Sequence, residues 1–405
     1  MIILPCNCLF SLDSLLWPET VYSNTCPKWC LIVVRTELAV VYTYAGICKI
    51  NEDWLRGEPL RVWLANRQDT PYIGWILVKE STAYFMSYGG LIYDLIIAEL
   101  LLFKKTLPVG IVLTMFFHSA NKIVFNIGIF PYMMMASTTF FFQPDWPRRV
   151  YHMILGTLKT YNPLKTKSFS ETAPRSLKIW EWLIILGLFL FLAHQILIPL
   201  RLHAYPGTVA WNESGHKFSW RMKLRTKHCD GHALAYHPDT HMAFEIKLSD
   251  YLNRRQNRKY ASRPDMIIQM AHFLRDEFDT RLLQQSNITR GHEVYIESWC
   301  QLNGRPYQQF TNSTHDLAKS DKWALPYEWV TEIEPLSDEL KQNYPWNFEW
   351  NFNWLKGIDR VPPNPRINNG PRGDLMRKEA WEKWQKWLLE RDPDVQFIDS
   401  SVKLK

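Results

Sequence analysis

The run IWEWLIILGLFLFLAHQILIPL, residues 179–200, constrains this chain more than any other feature. It carries one acid, Glu181, before Arg201 ends it, and about 20 apolar residues are what a helix needs to cross a bilayer core. Residues 107–142 contain a single charge, Lys122, and have room for one long span or two short ones. Residues 31–50 and 82–103 are further spans that hold charged side chains, which makes four or five in all. After residue 200 the chain turns soluble. The expected fold class is therefore a multi-span α-helical membrane domain over 1–203, followed by a mixed α/β, β-rich soluble domain over 204–340 with one amphipathic helix. A linker and a carboxy-terminal amphipathic helix complete it over 341–405. Met1 is followed by apolar residues with neither a basic n-region nor a small-residue cleavage site, so no signal peptide is expected.

Orientation follows from residues 146–178, where Arg148, Arg149, Lys159, Lys165, Lys167, Arg175 and Lys178 face one acid, Glu171. The positive-inside rule makes that linker cytosolic and puts everything after residue 200 on the opposite, lumenal side. Three glycosylation acceptors, at Asn212, Asn287 and Asn312, all fall in that second half. The net charge of +7 sits largely in the linker and on scattered lysines, and no basic and aromatic stripe points to nucleic acid. Of seven cysteines, Cys6, Cys8, Cys26 and Cys30 crowd the amino end at spacings that fit no common zinc pattern; disulfides or free thiols are expected there.

In the second half, HEVYIESWCQLNGRPYQQF, residues 292–310, alternates apolar and polar residues on both sides of Asn303-Gly304, a two-residue hairpin turn. Met266, Ile267, Met270, Phe273, Leu274 and Phe278 recur at helical spacing and predict one amphipathic helix packed on that sheet. Trp381, Trp384 and Trp387 form a stripe on the tail helix that fits a partner or the bilayer surface, after an extended linker over 345–373. Histidines 228, 232, 237 and 241 with Cys229 match no metal-ligand set, so no metal is expected. HALAYHPDTHMAFEI reads instead as two solvated strands around a Pro-Asp turn.

Charges inside a span cost about 3 kcal/mol each, so they occur with a partner or a task. Here they include Arg35, Glu37, Lys49, Asp94, Glu99 and Lys122, alongside the polar His118 and Asn121. Mutual compensation, Arg35 with Glu37 and Asp94 or Glu99 with a lysine, accounts for any one of them as well as catalysis does. A channel built on Asp94, Glu99 and Lys122 would need a continuous polar path. Lys49 stands apart: it ends an apolar helix beside Gly46, where a dry surrounding favours a free amine, and a free amine is a general base. His118 is the second proton-handling residue, and the methionines and aromatics after it make a wall for a flexible hydrophobic ligand or plain core.

Several blocks together resemble the vitamin K-dependent γ-glutamyl carboxylase family: VVYTYAGICKINEDWLRGEPLRVWL, GGLIYDL, FFHSANKIVFNIGIFPYMMMAS, QPDWPRR, FSWRMK, RRQNRKYASRPDMIIQMAHFL and ESWCQLNGRPYQQF. The resemblance runs in order over residues 5–335. It implies an integral membrane enzyme that oxidises vitamin K hydroquinone with O2 to the epoxide, removes a γ-proton from a glutamate-containing peptide and adds CO2. It implies Lys49 as base, with Cys48 where the family has a preceding lysine, and places the family's histidine of the Phe-His block at His118. Phe130 and Met134 would face the quinone, and Trp299, Asn303 and Arg305 would contact the peptide. The implied location is the endoplasmic reticulum membrane with a lumenal carboxy-terminal half, or the inner membrane in a bacterium. The family's earlier spans, with an Asn-His pair that assists the base, have no counterpart here. The chain is thus expected to be an amino-terminally shortened carboxylase, or a non-catalytic relative that binds a quinone, lipid or peptide.

Overall fold

A computed structural model describes residues 11–22, 28–125, 127–156, 176–282, 291–321, 323–343 and 369–398. It divides into two compact units, Met1–Ile47 with Gly90–Pro199, and Cys48–Gly89 with Leu200–Lys405. The division is not the linear one: Cys48–Gly89, which apolar runs on both sides assign to the membrane domain, belongs with the soluble half.

Among the described residues the longer helices are α1 (Lys28–Ile47), α2 (Glu80–Leu102), α3 (Leu107–Val124), α4 (Phe130–Ser137), α5 (Trp146–Ile154), α6 (Ile179–Leu197), α7 (Pro264–Leu282) and α8 (Asn369–Arg391). Among the described residues α1, α2, α3 and α6, with the 3-10 turn that follows it, are long and apolar enough to cross a membrane. Prolines at the first turns of α3, α4 and α5 start those helices where no amide partner is lost.

In the first unit, Tyr42, Tyr93, Ile97, Ala98, Leu101, Met134 and Phe141 make the core. Gly46 lets α1 approach α2, because a Cβ there would meet Leu95 Cδ2 at 2.7 Å. The Arg35 guanidinium does not pair with Glu37. Its Nε donates to the Phe140 carbonyl at 2.8 Å and its Nη2 to that of Phe142 at 3.2 Å, capping the 3-10 turn Thr138–Phe141 that continues α4. Asp94 is buried and Glu99 exposed, so these two acids do not share a face of α2.

The second unit is built on a five-stranded sheet in the order β4-β3-β1-β2-β5: β1 Lys227–His237, β2 Met242–Ile246, β3 Glu293–Leu302, β4 Gln308–Gln309 and β5 Gln396–Ile398. Asn303 and Gly304 turn with φ of 48° and 76°, as Asn-Gly predicts, but the hairpin is short. The ladder resumes only where Gln308 meets Cys300, and the long partner of β3 is β1, antiparallel from Lys227↔Leu302 to Tyr236↔Glu293. Cys229 and Cys300 face each other in that register and form a disulfide, which grouping Cys229 with histidines had obscured.

Alternation gives the sheet two apolar faces. Ala233, Ala235, Val294 and Ile296 pack on Ile267, Ile268, Ala271, Leu274 and Phe278 of α7. Phe273 instead points outward, 48% exposed. Leu234, Tyr236, Ala243 and Tyr295 on the other face are covered by Ala380, Trp384 and Leu388 of α8. The tryptophan stripe is therefore spent inside the domain, with Trp381 and Trp387 half-buried beside it. α8 begins at Asn369, so the end of the expected 345–373 linker is helical; residues 344–368 lie outside the described ones. The histidines are not a solvated set either: His237 is fully buried and its ring stands edge-on to that of His292, with centroids 4.7 Å apart.

Candidate functional site

Lys49 sits in the second unit in a four-residue passage, residues 48–51, between the end of α1 and a short helix, Glu52–Leu55. Asn51 holds that passage: its amide N–H bonds the Lys49 carbonyl at 2.9 Å, its Nδ2 the Cys48 carbonyl at 2.9 Å, and its Oδ1 accepts from Trp54 N at 3.0 Å as an N-cap. Lys49 is 8% exposed, with Nζ 5.2 Å from the centre of the Trp54 ring. The Trp54 indole donates to the Ser87 carbonyl at 2.8 Å and Ser87 Oγ returns a bond to the Trp54 carbonyl, which fixes the ring. Cys48, buried beside it, aims Sγ at the Ser219 carbonyl; burial pushes its thiol up, and Arg221 and Lys49 pull the other way.

The next residues form a buried ionic cluster that the sequence reading passed over. Asp53 Oδ1 accepts from Arg56 Nη2 at 2.8 Å and from Arg305 Nη2 at 2.9 Å, and Asp53 Oδ2 accepts from Asn303 Nδ2 at 2.8 Å. Glu58 pairs with Arg61 at 2.8 Å, and Arg61 reaches Glu80 at 3.5 Å. Burial pushes the Glu58 carboxyl up to about 7 despite Arg61 and Arg56. The sequence does carry a signal for this cluster in NEDWLRGEPLR, where Asp53–Arg56 and Glu58–Arg61 stand three apart. Asn303 and Arg305 thus meet the Lys49 segment, and Arg305 Nη1 adds a bond to the Glu334 carbonyl at 3.3 Å. Trp299 is not with them: it pairs with Gln309 across the sheet and donates from Nε1 to Glu297 at 2.7 Å.

His118 belongs to the first unit and is 3% exposed. Its Nε2 lies 3.3 Å from Tyr42 Oη. Its ring stands edge-on to Phe117, Tyr93 and Phe130, with centroids 5.4, 6.0 and 6.2 Å away. Met134, 5% exposed, and Phe130 pack in the same cluster, so three of the expected residues come together here. Tyr42, which supplies the only phenol bonded to His118 among the described residues, carried no sequence signal beyond its apolar run. Among the described residues no group of three His, Cys, Asp or Glu side chains could hold a metal ion.

Residues 180–335 match the model of the vitamin K-dependent gamma-carboxylase lumenal domain. The chain is a relative of the vitamin K-dependent γ-carboxylases. Its first 146 residues match the model of the HTTM domain. The two matches together follow the blocks that carried the resemblance over 5–335, and α8 and β5 lie beyond both. No solved structure matches the chain. This carboxylase relative is a membrane protein with a helical first half and a mixed-sheet lumenal-type domain, and its family implies vitamin K. An aromatic cluster that offers an imidazole and a phenol suits a flat apolar ring with polar oxygens, so the residues present fit that group.

Proposed function

We propose that the protein is a γ-glutamyl carboxylase: it takes a γ-proton from a peptide glutamate and adds CO2, coupled to oxidation of vitamin K hydroquinone by O2. When bound, the hydroquinone supplies the reducing equivalents for O2 and, through its oxidation, the strong base that the γ-proton requires. Lys49 accepts a proton at Nζ, His118 and Tyr42 offer hydrogen bonds beside Phe130 and Met134, and the hairpin with Trp299, Asn303 and Arg305 receives the peptide. The observation that carries this reading is the burial of Lys49 in a turn held from both sides, in a chain whose residues 180–335 match the gamma-carboxylase lumenal-domain model behind a match to the HTTM domain. A base must be sheltered from water if its proton transfer is to be productive.

The proposed location is the endoplasmic reticulum membrane, with the second unit in the lumen; in a bacterium it would be the inner membrane. The Cys229–Cys300 disulfide supports an oxidising side, and the acceptors at Asn212 and Asn312 support a glycoprotein. Asn287 lies outside the described residues.

Vitamin K epoxide formation with a glutamate peptide tests the proposal. Lys49→Ala abolishes it, and Lys49→Arg, which cannot give up its proton, fails to restore it. The face of Trp54 also attracts an ammonium, and this favours a second reading, a non-catalytic relative that binds a quinone, lipid or peptide. No epoxide from the wild type selects that second reading.

A further inference from the structure

We infer that Asp53 is a positioning residue, which locks the Asn303-Gly304-Arg305 turn onto the segment that carries Lys49 so that base and peptide-receiving hairpin keep one geometry. The inference rests on the reading of Lys49 as base, but its geometry stands by itself. Asp53 is 6% exposed, and both its carboxylate oxygens are taken, by donors from two segments about 250 residues apart in the chain. It belongs to the single helical turn, Glu52–Leu55, that Asn51 caps and ties back to Lys49. A shift of that carboxylate therefore reaches Lys49 through one rigid turn, and reaches its neighbour Trp54 directly.

The other end is equally constrained. Asn303 cannot rotate its amide, because its Oδ1 accepts from Thr226 N at 2.9 Å; its NH2 must face Asp53. Gly304 keeps φ at +76°, and a Cβ there would meet Glu58 Oε1 at 3.2 Å, so the turn tip lies against the segment without a side chain between them. Arg305 Nε and Arg56 Nε are buried without a hydrogen-bond partner, which leaves Asp53 as the carboxylate that answers both guanidinium groups. The Asp53 carboxylate is taken up by these donors, and that is why a positioning role, not direct contact with a substrate, is assigned to it.

The test is polarity exchange in the full-length protein. Asn303→Asp turns the NH2 facing Asp53 into an oxygen while keeping the Thr226 bond, and Asp53→Asn turns an acceptor into a donor. Either change alone breaks the pairing; together they restore it with donor and acceptor reversed. Two readouts are taken: hydrogen exchange at the backbone of residues 50–56 and 302–306, and CO2 fixed per epoxide formed. Each single variant is expected to raise exchange in both segments and to lower the CO2-to-epoxide ratio by about tenfold or more, and the double variant to recover most of both. If exchange in 302–306 is unmoved by Asp53→Asn, or both activities fall in step with folded protein and the double variant recovers neither, the proposal is wrong. Failure of the underlying functional reading looks different: wild-type protein forms no epoxide while the exchange pattern still follows the pairing.

Discussion

His216, half-buried, and His292, buried, are histidines whose neutral forms the fold prefers. Burial, reinforced by Arg225, Arg221 and Arg263, brings His216 down to about 4, and burial lowers His292 although Asp279 sits 2.6 Å from its Nδ1. The unfolded chain takes up these protons near pH 6.5, so their contribution is complete above that pH and is lost as pH falls toward about 4. Glu293 acts in a lower window. Burial alone would raise it, but Arg391, Tyr295 and Lys319 outweigh burial and hold it at about 2, so its contribution fades between pH 4.5 and 2. The thermal midpoint in detergent should therefore drop by several degrees between pH 6.5 and 4, and His216→Gln should flatten part of that slope; an unchanged slope in the variant removes His216 as a cause. At this scale the sequence was legible where a residue was conspicuous. Lys49 and His118 stand out because they interrupt apolar runs, whereas Asp53 lies in a polar segment that reads as surface until its partners at 303 and 305 are in place.

Elements are legible from periodicity, but what an element faces is not. The tryptophan spacing of α8 was plain, yet a stripe of that kind covers a sheet or a bilayer equally well, and only the outer row of Leu234, Tyr236 and Tyr295 shows which. Likewise Asn-Gly announces a turn locally, while the register of β3 on β1, strands separated by more than 50 residues, depends on packing that no short window contains. The α8 assignment makes a graded prediction. Trp384 is 1% exposed and its Nε1 donates to the Ser313 carbonyl at 2.9 Å, so Trp384→Ala should cost about 3–5 kcal/mol and expose the tail to protease. Trp381→Ala, at the half-buried flank, should cost clearly less. Equal losses in denaturant midpoint for the two would mean that α8 is not anchored through its central tryptophan.

Across the whole molecule, the membership of Cys48–Gly89 and Leu200–Lys405 in one unit decides a matter of topology that hydropathy left open. The parts of both segments outside the spans, Cys48–Lys79 and the chain after Ala204, must lie on one side of the membrane, so the chain between them crosses an even number of times. Among the described residues of that interval only α2, α3 and α6 meet the length and hydropathy of a span, and three is odd. The missing crossing is assigned to α4 and the 3-10 turn after it, Phe130–Phe141. Contacts within the first unit support this. Tyr42 and His118 pair near the ends of α1 and α3 that share the side of Cys48. Arg35, twelve residues before Ile47 and so about 18 Å deeper along α1, holds the Phe140 and Phe142 carbonyls. The segment that starts level with the end of α3 has therefore descended past the middle of a bilayer about 30 Å thick before it stops. Arg148 and Arg149 follow it, on the side the positive-inside rule assigns to the cytosol. In a variant whose cysteines outside the Cys229–Cys300 pair are replaced, Gln143→Cys and Lys247→Cys should react with a membrane-impermeant thiol reagent from opposite sides of sealed vesicles. Labelling of both from the same side would leave Phe130–Phe141 as a re-entrant segment, and the basic linker would then share a side with the sheet domain against its charge.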